Sequence, residues 1–220
     1  MARDWWKKLP SDEQQEYRRS EKIAELKLPP HPGYVRVIDA LLHFLTEENR
    51  EEVQRVSNAL VRGISGGLGI RRATVRVAEG RPHNDRGELH GLYEPAEAGD
   101  VPHITLWMRT AKKGEVVKPR TFLRTLLHEV VHHIDMELLD LPNSFHTKGF
   151  YRRESSLYRV VTQGTPLAHR VKGGQRAEDA PGRVVPQRRD PTDPPSPKAE
   201  EGLAMLRAVK EEIRRRREES

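Results

Sequence analysis

The stretch Leu127-His128-Glu129-Val130-Val131-His132-His133-Ile134-Asp135 decides how the rest of the chain is read. Around it Leu123, Leu127, Val130, Ile134, Leu138 and Leu141 recur at spacings of 4, 3, 4, 4 and 3. That is one apolar stripe at helical period, so a helix is predicted from Arg120 to about Leu139. His128 and His132 are four residues apart and therefore project from one face, within reach of a single cation. The pattern is H-E-x-x-H: two imidazole ligands for Zn2+, with Glu129 placed to act as general base toward a water on the metal's open side. The spacers Val130 and Val131 are apolar, and the stripe passes behind the histidines, as a helix with ligands on one side and core on the other requires.

A catalytic zinc takes three protein ligands. Downstream, His146, Glu154 and His169 are available. His133 is turned about a hundred degrees from His132 and suits a supporting polar role better than ligation. For Glu154 the plainer reading is a salt bridge or a solvated helix face. Asp135, three residues after His132, either supports an imidazole or is simply exposed.

Outward from the motif, the chain upstream reads as helices and then short strands. Ser11 with Gln14 three residues on forms a capping-box start, and the charged segment from Ser11 to Leu28 is expected to be a peripheral helix. A longer amphipathic helix follows from about Val35 to Ile64, with the Glu47–Glu52 stretch as its point of interruption and Gly66-Gly67-Leu68-Gly69 as its end. Thr74 to Val77 and His103 to Met108 alternate as strands do, with Glu88 to Tyr93 a weaker third. Leu141-Pro142-Asn143 stops the motif helix, and a last helix is predicted from Thr147 to about Val161. The order is that of an α+β domain.

Composition bounds the alternatives. The chain has 220 residues, 33% charged and 35% apolar, with 28 Arg, 11 Lys and a net charge of +6. From Val171 to Glu200 there are six prolines and almost no large apolar residue, so this stretch cannot bury enough surface to offset its ordering entropy. The expected organisation is a helical segment over 1–34, a catalytic-sized domain over 35–165, a Pro-rich linker over 166–200 and a short charged helix over 201–220. No apolar run is long enough for a membrane helix, and Met1 to Lys8 lacks the apolar stretch of a secretory signal, so a cytoplasmic protein is expected. The absence of cysteine excludes thiol nucleophiles, disulfides and Cys-ligated metals. A serine-nucleophile elbow is missing too. The basic residues are dispersed among acidic ones, which leaves DNA association a weak expectation.

His128-Glu129-Val130-Val131-His132, followed by a loop and by His146 with Phe150 four positions later, resembles the SprT-like zinc metallopeptidases and related small zincins. The likeness spans about 88 to 160, and its loop of thirteen residues between His132 and His146 is longer than usual there. It implies a zincin-like fold: a small, mostly antiparallel sheet packed on the motif helix with flanking helices. It also implies His146 as third zinc ligand, Glu129 as catalytic base and hydrolysis of peptide bonds in a protein substrate. By the same likeness the strand at 104–107 would be the sheet edge on which an extended peptide docks. Donors for an oxyanion would come from among Tyr151, Arg152, Tyr158 and His133. The alternative function is a non-catalytic zinc-binding or DNA-associated module that keeps this fold.

Overall fold

The computed structural model describes residues 5–84, 87–96 and 100–168. The expected linker, beyond its first three residues, the C-terminal helix and His169 lie outside them. Gln15–Lys172 forms one compact unit. Of the other unit, the described residues are 5–14, a 3-10 turn at Trp5–Lys8 and the first residues of the helix α1 (Ser11–Lys22).

α2 (Pro32–Thr46) opens on a proline, whose fixed φ and missing N–H suit a first helical turn. The expected interruption is real: Glu48 adopts φ 53°, and the Asn49 side chain accepts from Glu52 N at 3.2 Å to cap α3 (Arg50–Leu68). The strands are β1 (Thr74–Gly80), β2 (His83–Asn84), β3 (Gly87–Glu88), β4 (Gly91–Glu94) and β5 (His103–Arg109). The motif helix α4 (Pro119–Glu137) also begins at a proline, and α5 (Lys148–Thr162) is capped by Thr147, whose hydroxyl accepts from Phe150 N. The fold is α+β.

The sheet departs from expectation in two respects. Its order is β1-β5-β4, with β1 parallel and β4 antiparallel to β5, so it is mixed rather than mostly antiparallel. The strand containing 104–107 is central and cannot accept a further strand, because Thr74–Gly80 pairs along one side and Gly91–Glu94 along the other. Both of its faces are covered: residues 104–108 are all buried, whereas a strand open on one face would alternate. β2 and β3 form a separate two-stranded ribbon.

The two sheet edges differ. On β1, side chains of α3 occupy the outward backbone groups: Asn58 accepts from Val75 N at 2.8 Å and donates to Val75 O at 2.7 Å. Gln54 accepts from Val77 N at 2.9 Å, and Arg50 donates to Val77 O at 3.1 Å. This edge is already satisfied by the protein's own groups.

The apolar core joins Ile38, Leu41 and Leu45 of α2, Val56, Leu60 and Ile64 of α3, alternate residues of β1 and β5, and Leu123, Leu127, Val130 and Ile134 of the α4 stripe. Leu138, expected to continue that stripe, lies just past the end of α4 and is exposed. The segment expected to be peripheral is not uniformly so. Glu16 and Ser20 on α1 are buried, and Arg19 donates to the carbonyls of Leu139 and Asp140 just beyond α4.

Candidate metal centre

Helical spacing sets the first two groups of the site, and a tight turn sets the third. Phe145 O accepts from Thr147 N at 2.6 Å, which closes a three-residue turn with His146 at its apex. The Nε2 atom of His146 then lies 3.1 Å from His128 Nε2 and 3.0 Å from His132 Nε2. A tetrahedral cation bound at about 2.0–2.1 Å asks for nitrogens about 3.3 Å apart. Both pairs through His146 come within a few tenths of an ångström of that spacing, and the ligand atoms of all three lie within 4.8 Å of one another. The three can hold a metal ion. Phe150 lies against all of them, with ring centroids 4.8–4.9 Å away, as an apolar floor.

With the Nε2 atoms drawn together, the ring protons belong on Nδ1, and for His128 and His132 an acceptor stands there. His128 Nδ1 faces Glu154 Oε2 at 3.3 Å, and Arg124 holds the other oxygen of that carboxylate at 3.2 Å. His132 Nδ1 faces Ser144 Oγ at 2.7 Å, and the Ser144 hydroxyl donates to Asp135 Oδ2 at 3.0 Å. Asp135 is fully buried and paired with Arg153. Glu154 thus makes the salt bridge read from the sequence and also supports a histidine. Asp135 acts one residue removed from the imidazole, through Ser144.

Electrostatics keep the cluster ready for a cation. Desolvation, with repulsion from His128 and His146, lowers the His132 pKa to about 3. His146 is exposed along one side, yet its ring nitrogen turns toward the other imidazoles. Desolvation there, with repulsion from His128, lowers its pKa to about 4. Glu129 is the opposite case. Burial pushes its carboxyl up to about 7 against the pull of His128 and of the Tyr93 backbone N–H that it accepts. A dication held by the three imidazoles would draw it back down.

Glu129 reaches the site because Gly91 leaves room. A Cβ at that position would stand 2.5 Å from Glu129 Oε1. The carboxylate opens on a cleft of about 370 Å3 shared by the three histidines, with Leu92, Tyr93 and Met136 on its walls. β4 forms one side of this cleft and is the edge strand that α3 does not cover.

The other histidine of the motif points elsewhere. His133 is fully buried, donates from Nε2 to Arg71 O at 2.7 Å and meets Tyr93 Oη with Nδ1 at 3.2 Å. It ties α4 to β4 and to the segment before β1. Tyr158 is buried and donates to Leu167 O, so it is not free to stabilise an oxyanion. Tyr151 is 38% exposed, with its ring 5.9 Å from that of His146, and of the expected donors it is the one that stands against the cluster. Ser144, Gly91 and Arg153 were not anticipated, since their roles rest on contacts between elements rather than on spacing.

No protein-family model matches the chain, and neither does any curated protein or solved structure. The geometry alone therefore carries the functional reading.

Proposed function

We propose that the chain is a zinc-dependent peptidase of the small zincin type, hydrolysing a protein segment bound in extended form. The observation that carries this is the convergence of three imidazole nitrogens and one buried carboxylate, Glu129, on a single cleft. Zn2+ suits three neutral histidines with an open fourth position, where it would polarise the scissile carbonyl and acidify a water.

The chain's own residues supply the rest. Glu129 takes the proton of the attacking water and returns it to the departing amine. Burial raises its carboxyl and a bound dication would lower it, and its place on the cleft beside the three imidazoles lets it reach both. Glu154 and Ser144 hold the His128 and His132 rings in register. A peptide would lie along β4, in place of the 104–107 strand expected from the sequence. The reason is physical: β5 is paired on both sides and β1 is capped by Asn58, Gln54 and Arg50. Among the described residues β4, by contrast, pairs with a strand on one side only and lines the cleft, with its Tyr93 N–H held by Glu129.

Glu129→Gln tests the reading. The variant should retain one zinc per chain and lose hydrolysis of a fluorogenic peptide library by a factor of at least about 100, the scale of general-base catalysis. Equal hydrolysis by the variant and the wild type would contradict it. A zinc-loaded wild type that cleaves nothing would favour a binding module on the same fold.

A further inference from the structure

The loop between α4 and α5 has no regular structure, yet it must deliver His146 to within about an ångström of a fixed position. Its backbone is held from outside. Glu16 on α1 is 127 positions earlier than Asn143 and is buried. Its Oε1 accepts from the N–H of Asn143 at 2.8 Å and of Ser144 at 3.2 Å, and its Oε2 accepts from Asn143 Nδ2 at 2.6 Å. Ser144 adopts φ 41°, a conformation that a residue with a Cβ keeps only when its surroundings impose it. The hydroxyl of the same Ser144 meets His132 Nδ1, and His146 follows two residues later.

We propose that Glu16 is a positioning residue for the metal site. Its carboxylate fixes the Asn143–Ser144 backbone so that Ser144 orients His132 and the turn after it presents His146. The proposal rests on the metal-binding reading above. Glu16 makes no contact with the imidazoles themselves and acts wholly through the loop. Docking of α1 does not depend on it alone, because Arg153 donates to Ser20 O and Ile23 O, and Glu21 accepts from Lys148 N. A Glu16 needed only to dock α1 would change the melting temperature of the metal-free protein and leave the zinc affinity of the folded protein unaltered.

The measurement is the Zn2+ affinity of the full chain, by competition with a chromophoric chelator, for wild type, Glu16→Ala and Glu16→Gln. Amide hydrogen exchange at residues 143–148 of the metal-free proteins accompanies it. Glu16→Ala should weaken zinc binding roughly 10–100-fold, the usual effect of removing a group that orients metal ligands. Glu16→Gln, which keeps one acceptor oxygen, should weaken it by less, and both should speed exchange at Asn143 and Ser144. Affinities within twofold of wild type would overturn the proposal. If Glu16→Ala does not fold, Glu16→Gln decides on the same criterion. A wild type that takes up no stoichiometric zinc would overturn the metal reading itself, a result distinct from wild-type binding that the Glu16 variants leave intact.

Discussion

His132 and His133 are neighbours in sequence but face different surroundings, because a helix turns about 100° per residue. One converges with His128 and His146, and the other is spent on Arg71 O and Tyr93 Oη. That division was legible from the spacing of the motif. His133→Phe should leave zinc stoichiometry intact and cost about 1–3 kcal/mol in chemical denaturation, since it removes both part-buried hydrogen bonds of a fully buried imidazole. Loss of metal from that variant would show that the two histidines had been assigned to the wrong roles. The support from Ser144 and Glu16 was not legible. Glu16 meets the loop across 127 positions, and nothing in local spacing encodes such a contact.

Between elements, the junction of α1, α4 and α5 is built on Arg153, all of whose polar atoms are engaged. Nε and one terminal nitrogen meet both oxygens of Asp135, and the remaining contacts go to Ser20 and Ile23. Arg153→Met removes one partner of a fully buried ion pair and should destabilise the fold by about 3–5 kcal/mol, measured by denaturant unfolding. Gly149 permits the same junction, because a Cβ there would overlap the Ser20 carbonyl oxygen. Gly149→Ala should therefore destabilise by about 1–3 kcal/mol or more, and a neutral result would mean that α1 docks differently. Helix periods in the sequence revealed α4 and α5, and gave α2 and α3 as one long helix with its interruption at 47–52. Strand order did not emerge, because burial on both faces makes 104–108 equally compatible with an apolar edge and a centre. The charged face of α1 likewise concealed Glu16 and Ser20, two polar residues buried by hydrogen bonding rather than by apolar area.

For the whole molecule, the site makes stability depend on pH in a direction that can be worked out. In the metal-free protein His132 and His146 stay neutral down to about 3 and 4, whereas in the unfolded chain they take up protons near 6.5. The buried His133 is lowered too. The unfolded state therefore binds more protons below pH 6.5, and stability should fall as the pH is lowered from there toward 4. Glu129 and Asp135, whose carboxyls burial raises, act in the opposite sense, but three histidines outnumber two carboxyls. Urea unfolding of chelator-treated protein at pH 7, 6 and 5 measures this, and stability that rises on acidification would contradict it. Added zinc should stabilise the fold by mass action, by about 2.7 kcal/mol at a hundredfold excess over its Kd.

Metal analysis of the wild type beside single alanine variants of His128, His132 and His146 tests the three-histidine centre most directly. One zinc per chain in the wild type, and binding too weak to survive gel filtration in each variant, is the predicted result. A wild type without stoichiometric zinc, or a His146→Ala variant that retains as much as the wild type, would contradict it.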